Sequence, residues 1–550
     1  MGVLEGIAAA NSDVDNTSPG PAQDCRDVVH VMLFFDGTGN NRFEDEGRKS
    51  WSNVARLFFA ARDEPNNGIY RIYISGVGTK YNLPSRYWGE SLDAWKEDNT
   101  FGGGAGLGGD RRLDGGGSQV NDVLEKALLN SARNEGGKVQ KIAEKMEGEG
   151  FQKMMASLGK HRLIKAVHFS IFGFSRGAAL ARAFSNRLSN QFKSDGKSGY
   201  LYQGVEAHIN FLGVFDTVAS FGLPGKNWGG WLPKALHVPT QVEMCHHYVA
   251  AHELRYSFPV DLVRDPDGYG DNRLERVYPG VHSDVGGGYE PGKQGRKDTI
   301  GRIPLLHMLD AAIENGVRLN SVTFLRKTNA PIAQRLMADP ETLDSYKAYM
   351  SACGSMKGTV EAQVERHMAL YYAYRGTQHR AKVGSSQANE RRLTELRKQL
   401  TQIRTEEGQA ESTKWREFAV GTVPDWWKAR KKEGHLEEKI GSLEEELKAA
   451  EADAARLAES DGDIAVQAYA LGRAIEKNSK LTLQNGKMVL ILEKQPWMLG
   501  AWRSQAVPEV CHFFDNYVHD SRTDFLRGNE PFVYFRTRGM HLQSSEQHVE

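Results

Sequence analysis

A chain of 550 residues exceeds what one hydrophobic core organises, so two or more domains are expected. Its 70 Lys+Arg and 70 Asp+Glu cancel, which removes the global field that draws a protein to nucleic acid. The four cysteines (Cys25, Cys245, Cys353, Cys511) lie far apart and form no metal or disulfide pattern, and no apolar run reaches the roughly 18 residues of a transmembrane helix.

Residues 1–27 are polar and contain Pro and Gly, and they read as a flexible lead. They lack the basic region and apolar core of a Sec signal, and Gly6 stands where a myristoylation signal needs Ser or Thr. Val28–Phe35 is a buried-strand pattern running into Asp36-Gly37-Thr38-Gly39-Asn40-Asn41. A Gly/Asp/Asn loop directly after a strand is where an open α/β sheet places ligand groups. The amides near Asp36 and Gly37 are therefore expected to supply half of an oxyanion hole. Ser52–Arg62 reads as a helix and Tyr70–Ser75 as a second strand. Phe101–Gly117 is glycine-rich but has no P-loop signature and no strand leading into it; it reads as a mobile or closely packed loop beside the site. Gln119–Asn130 and the charged stretch Glu135–His161 are helix-compatible.

Ala166–Leu188 organises the rest. An apolar run (Val167, Phe169, Ile171, Phe172) meets Gly173-Phe174-Ser175-Arg176-Gly177, and an Ala/Leu-rich helical run follows at once. Strand, G-x-S-x-G, helix is the context of a nucleophile elbow, whose glycines let strand and helix approach and whose serine takes a strained conformation. The Arg176 amide is expected to face an oxyanion beside Ser175.

A triad acid should follow at the end of a later strand, and His208–Phe215 ends at Asp216. The base should follow on a loop after a further strand, and Arg273–Val277 leads to His282. Ser175, Asp216, His282 is the α/β-hydrolase chain order. Asp284 competes with Asp216, and His519 competes with His282. His246, His247 and His252 have spacing that fits a helix packed near the site, without a zinc-protease motif. Asp265, Asp267 and Asp271 read as a polar turn rather than a calcium loop.

From Ser385 the composition changes. Leu393, Leu396, Leu400 and Ile403, then Leu436, Ile440, Leu443 and Leu447, recur at heptad spacing in charged surroundings. Between them lie Trp415, Phe418, Trp426, Trp427, Lys428 and Arg430. An antiparallel helical hairpin with an aromatic, basic tip is the simplest geometry. Trp426, Trp427, Lys428 and Arg430 are then candidates for contact with a membrane interface, or the aromatics pack on the core. Leu481–Glu493 reads as a β-hairpin turning at Asn485-Gly486. The expected organisation is a lead over 1–27, an α/β-hydrolase-like domain over 28–384 with a mostly parallel sheet and helices on both faces, the hairpin over 385–460, and a segment over 461–550 that packs back on the catalytic core.

Three motifs together, LFFDGTGNN (33–41), GFSRGAALAR (173–182) and GVFDTVAS (213–220), resemble the bacterial type VI secretion lipase effectors, as do PGVHSDVGGGY (279–289) and NYVHDSR (516–522). The resemblance covers roughly 28–288 and the C-terminal segment, but not the hairpin. It implies an antibacterial phospholipase A of α/β-hydrolase fold with Ser175, Asp216 and His282 as its triad, needing no metal or organic cofactor. It further implies membrane phospholipids as substrate, a cognate immunity protein, a type VI spike or adaptor as carrier, and no nucleic-acid partner. Such a protein is made in the cytoplasm without a signal peptide and acts in the target-cell periplasm or at its membrane. A carboxylesterase on a soluble ester, or a non-catalytic secretion-associated module on a hydrolase scaffold, are the alternative readings.

Overall fold

The computed structural model describes residues 28–80, 108–158, 161, 163–219, 236–266, 268–420, 423–458, 462–476, 481–485, 488–492, 495–522 and 534–542. The expected lead over 1–27, the first part of the glycine-rich stretch (101–107), Asp267 and Gly486 lie outside the described residues. The chain divides into two compact units, Met1–Met368 with Val507–Glu550, and Ala369–Ala506.

The first unit is α/β. Its strands are β1 (Val28–Phe35), β2 (Ile69–Ile74), β3 (Ala166–Phe174), β4 (Phe192–Ser194), β5 (Tyr200–Tyr202), β6 (Val205–Phe215), β7 (Cys245–Ala250), β8 (Val260–Asp261) and β9 (Arg273–Tyr278). The parallel part of the sheet runs β2-β1-β3-β6-β7-β9. On the side away from β3, the long strand β6 serves two neighbours. Its start pairs antiparallel with β5, and its end, Leu212–Phe215, pairs parallel with β7. β8 lies apart and pairs with β12 (Met540–His541) from the C-terminal segment.

Because β1 is buried on both faces, its sequence is apolar at every position but His30 rather than alternating. Val29, Val31, Leu33 and Phe35 join a cluster with the helices α1 (Gly108–Glu135) and α2 (Arg176–Ser189). Met32 and Phe34 join the opposite cluster, with the helices Asn53–Ala60 and Arg302–Glu314. Helices thus cover both faces of the sheet, as expected.

Two local expectations are corrected. Residues 108–117 of the glycine-rich stretch are the first turns of α1 rather than a loop. A Cβ at Gly116 would stand 3.3 Å from Ile74 and from Phe184, so the small residues there let α1 lie close on the sheet and on α2. His246 and His247 belong to strand β7, not to a helix: with β6 on one side and β9 on the other, backbone pairing overrides the helix-compatible spacing.

The second unit holds most of a 61-residue helix, Val360–Val420, then Val423–Ala458, Gly462–Glu476, the antiparallel pair β10 (Leu481–Asn485) and β11 (Met488–Leu492), and Pro496–Arg503. The two long helices run antiparallel. Asn389 bonds to Ala450, Arg397 pairs with Glu451, Arg404 with Glu444, and Lys414 with Glu433. Leu396, Leu400, Leu436 and Ala450 are buried along the seam. The aromatic insert is itself helical and sits at the tip. The unit boundary falls at 368/369 and 506/507, not at the 384/385 and 460/461 expected from composition, because the 61-residue helix begins well before its charged part.

Candidate active site

Asp36, Ser175, Asp216 and His282 all follow the carboxyl ends of parallel strands: β1, β3, β6 and β9 respectively. This is the edge where an open α/β sheet presents chemistry.

Ser175 links β3 to α2 with φ 58° and ψ −128°, a conformation that costs a non-glycine residue energy. It is held from several sides: its amide donates to the Phe215 carbonyl at 3.1 Å, and its carbonyl accepts from Ala178 at 3.0 Å and from Val218 at 3.3 Å. The flanking glycines are steric necessities. A Cβ at Gly173 would lie 2.6 Å from the Ala178 Cα, and one at Gly177 would collide with the carbonyl oxygens of Phe35 and Asp36. The elbow therefore sits directly on the end of β1.

Asp216 also has positive φ, 43°, and its side chain is fully buried. Its Oδ2 accepts from His282 Nδ1 at 2.5 Å, and its Oδ1 accepts from the Ala250 amide at 2.8 Å. Arg538 donates to both carboxylate oxygens, at 2.6 and 3.1 Å. Burial alone would raise the pKa of this carboxyl, but the charge of Arg538 and the bond from His282 outweigh it and hold Asp216 well below the usual carboxylate range. An ionised carboxylate only accepts, so His282 carries its proton on Nδ1 and turns Nε2 away from Asp216. The imidazole packs on Phe174, the residue before Ser175, at 4.7 Å between ring centres, and on Phe258 at 5.1 Å. Burial lowers the basicity of His282, and the bond and charge of Asp216 work in the opposite direction.

The rivals named from sequence meet each other instead. His519 donates from Nδ1 to Asp284 Oδ1 at 2.6 Å, and its backbone amide donates to Oδ2 at 3.1 Å. The His519 ring stacks on Tyr289 at 3.8 Å. His247 has a third task. Its Nε2 accepts from the Thr217 amide at 3.1 Å, and its Nδ1 donates to Glu275 at 2.6 Å, so it buttresses the turn that carries Asp216.

The expected oxyanion donors need correction. The Asp36 amide donates to the Ile74 carbonyl at 2.9 Å, and the Gly37 amide donates to the carboxylate of Asp36 at 2.7 Å. Strand pairing and an Asx-type bond have already engaged both. Arg176 lies at the start of α2, and its guanidinium donates to the Thr38 hydroxyl, tying the elbow to the loop after β1. Two residues escaped the sequence reading. Arg538 lies 322 positions from Asp216 in an unremarkable context, and Glu253, fully buried, accepts from the His282 amide at 3.2 Å and from Arg255 at 2.9 Å.

At the tip of the hairpin, Trp427 is 59% exposed, while Trp426 is half-buried and meets Trp427 edge to face at 5.1 Å. Arg430 stacks over both rings, and Lys428 pairs with Asp425. No described helix is long and apolar enough to cross a membrane.

Fold and site thus define an α/β protein with a strained serine and a buried Asp–His pair on one sheet edge. Residues 189–311 match the family "T6SS, Phospholipase effector Tle1-like, catalytic domain", a stretch that contains Asp216 and His282 and begins beyond Ser175. That stretch is similar to the catalytic domain of the type VI secretion phospholipase effectors, the family that the motifs of the chain resemble. Among solved structures it is similar to "Crystal structure of an uncharacterized protein from Pseudomonas aeruginosa", at TM-score 0.60 and 23% identity, covering 98% of this chain and 81% of that one. Comparison with curated protein sequences yields no match.

Proposed function

We propose that this chain is an antibacterial phospholipase A of α/β-hydrolase fold, delivered by a type VI secretion system, which hydrolyses acyl esters of membrane glycerophospholipids by a Ser-His-Asp mechanism. The observation that carries the reading is the buried 2.5 Å bond between His282 and Asp216, with the imidazole lying on the residue that precedes the strained Ser175. The match of residues 189–311 to a type VI phospholipase effector catalytic domain supports the lipid substrate class and the secretion route.

In this reading His282 Nε2 takes the proton of Ser175 as its oxygen attacks the ester carbonyl. Asp216 holds the tautomer and stabilises the imidazolium. The oxyanion is held by the Arg176 amide at the positive end of α2; such a donor is typically worth about 3 kcal/mol. His282 gives the serine proton to the leaving glycerol oxygen, lysophospholipid departs, and water, deprotonated by His282, then attacks the acyl-serine and releases fatty acid. The exposed aromatic and basic tip of the hairpin (Trp426, Trp427, Lys428 and Arg430) suits a headgroup interface. The partners proposed are membrane phospholipid, a cognate immunity protein and a type VI spike or adaptor, with action in the target-cell periplasm or at its membrane.

The test is product release from mixed phospholipid vesicles by wild type and by Ser175→Ala, with products identified by mass. Fatty acid plus lysophospholipid from wild type alone supports the reading. Hydrolysis of a short soluble ester without any attack on vesicles would replace it with a carboxylesterase.

A further inference from the structure

The C-terminal segment reaches the site at three carboxylates. Arg538 forks onto Asp216. The Ser521 hydroxyl donates to Glu253 at 2.8 Å, and Glu253 in turn accepts from the His282 amide. His519 holds Asp284, two residues beyond His282. The segment is fixed by the parallel pairing of β12 with β8, where Val260 donates to the Gly539 carbonyl at 2.9 Å and Leu262 to that of His541 at 2.8 Å.

We propose that Arg538 is a positioning residue through which the C-terminal segment assembles the catalytic pair: its fork orients Asp216, and its charge sets the pH at which His282 becomes a base. This rests on the assignment of Ser175, Asp216 and His282 made above.

Three observations support it. The guanidinium touches both oxygens of the carboxylate that orients His282, and also donates to the carbonyls of Ala250 (3.0 Å) and Phe258 (2.9 Å), so it cannot turn away without losing four bonds. Its Nε nevertheless has no acceptor among the described residues. A fully buried ion pair with an orphaned donor is a poor device for stability, since burial of both charges offsets their attraction. Charges of both signs also act on His282. Asp216 and Glu253 favour its protonated form, while Arg255 opposes it, and Arg538 sits against Asp216 and acts on Glu253 as well. Removing Arg538 leaves the negative charge of Asp216 undiminished, which favours the imidazolium.

The experiment compares wild type, Arg538→Gln and Arg538→Lys, all full length. It measures the rate of Ser175 labelling by a fluorophosphonate and kcat/KM on a short-chain nitrophenyl ester from pH 5 to 9. Arg538→Gln is expected to shift the acid limb of both profiles upward by about one pH unit, because a like-for-like loss of one nearby charge works at that scale. Arg538→Lys keeps the charge but loses the fork. Its acid limb is expected to stay at the wild-type position, while the plateau rate falls on the order of 10-fold through misorientation. If Arg538→Gln loses its near-ultraviolet circular dichroism, the lysine variant decides: a lowered plateau with an unmoved limb supports the proposal, and an unchanged plateau overturns it. Folded variants that both keep the wild-type limb and plateau overturn it too. Wild type that does not label at Ser175 sinks the site assignment itself, and this inference with it.

Discussion

Asp216→Asn separates what the buried carboxylate does for stability from what it does for chemistry. Each oxygen of Asp216 accepts two hydrogen bonds: Oδ1 from the Ala250 amide at 2.8 Å and Arg538 at 2.6 Å, Oδ2 from His282 at 2.5 Å and Arg538 at 3.1 Å. Asparagine offers one oxygen and one NH2 group. Whichever way the amide turns, its NH2 meets a guanidinium N–H, and with it either the Ala250 N–H or the ring nitrogen of His282. The Arg538 charge is also left buried without a counter-charge. Breaking a buried pair in this way costs about 3–5 kcal/mol. If the NH2 faces His282, Nδ1 must accept and the ring proton moves to Nε2, where it blocks proton transfer from serine; loss of the required tautomer costs on the order of 10⁴ in rate in other serine hydrolases. Asp216→Asn/Arg538→Met removes the stranded charge, so its stability is expected to return to within about 1 kcal/mol of wild type while activity stays lost. Urea unfolding followed by near-ultraviolet circular dichroism, beside fluorophosphonate labelling, reads both quantities. An Asp216→Asn protein as stable as wild type, or a double variant no more stable than the single, would refute the reasoning.

Gly177→Ala places a methyl group against the carbonyl oxygens of Phe35 and Asp36, neither of which can move without breaking the end of β1. A loss of at least about 3 kcal/mol is expected in urea unfolding, and an alanine variant of wild-type stability would mean that the elbow is not seated on that strand end. Asp36 carries a pH signature: burial pushes its carboxyl up to about 6 against hydrogen bonds from Ser52, Tyr73 and Gly37. A folded-state value above the unfolded 3.8 means stability is lost as pH rises between about 4 and 6. The gap corresponds to about 3 kcal/mol, absent in Asp36→Asn. Parallel stability curves of the two proteins from pH 4 to 7 would contradict this. Trp426→Ala/Trp427→Ala is expected to weaken binding to anionic phospholipid vesicles about 10-fold or more and to leave hydrolysis of a short soluble ester unchanged. Unchanged vesicle binding in a sedimentation assay removes the tip as an interfacial contact.

Much of the sheet was legible because buried parallel strands write themselves as apolar runs. Val28–Phe35 and His208–Phe215 needed no context, and the elbow announced itself through strand, glycines and helix in series. The hairpin was legible for the same reason, through the spacing of its leucines. Legibility failed where a backbone partner outside the local window decides the outcome. The glycines at 115–117 suggest a loop, yet the missing side chain at Gly116 is what lets α1 approach Ile74 and Phe184. His246 and His247 have helix-compatible spacing, but two flanking strands take that segment into the sheet. The Gly37 amide was expected to face substrate, and a side-chain oxygen one residue away captures it instead.

The site itself divides along the same line. Ser175, Asp216 and His282 each stand beyond the end of a strand, and that placement can be read from order alone. Their supports cannot. His247 holds Thr217 through a ring nitrogen, and its role depends on β7 lying beside β6, a pairing no local pattern encodes. Asp284 and His519 looked like competitors for Asp216 and His282 because each has the right chemistry, and only the fold shows that they consume one another. Arg538 is the extreme case. A single arginine among Arg536, Thr537 and Gly539 carries no signal, and its meaning arises only when β12 docks on β8 and brings it 2.6 Å from a carboxylate 322 residues earlier. The residues proposed to react are therefore written locally, at strand ends. The groups that tune them are written wherever the chain happens to return, and the C-terminal return supplies Arg538, Ser521 and His519 together.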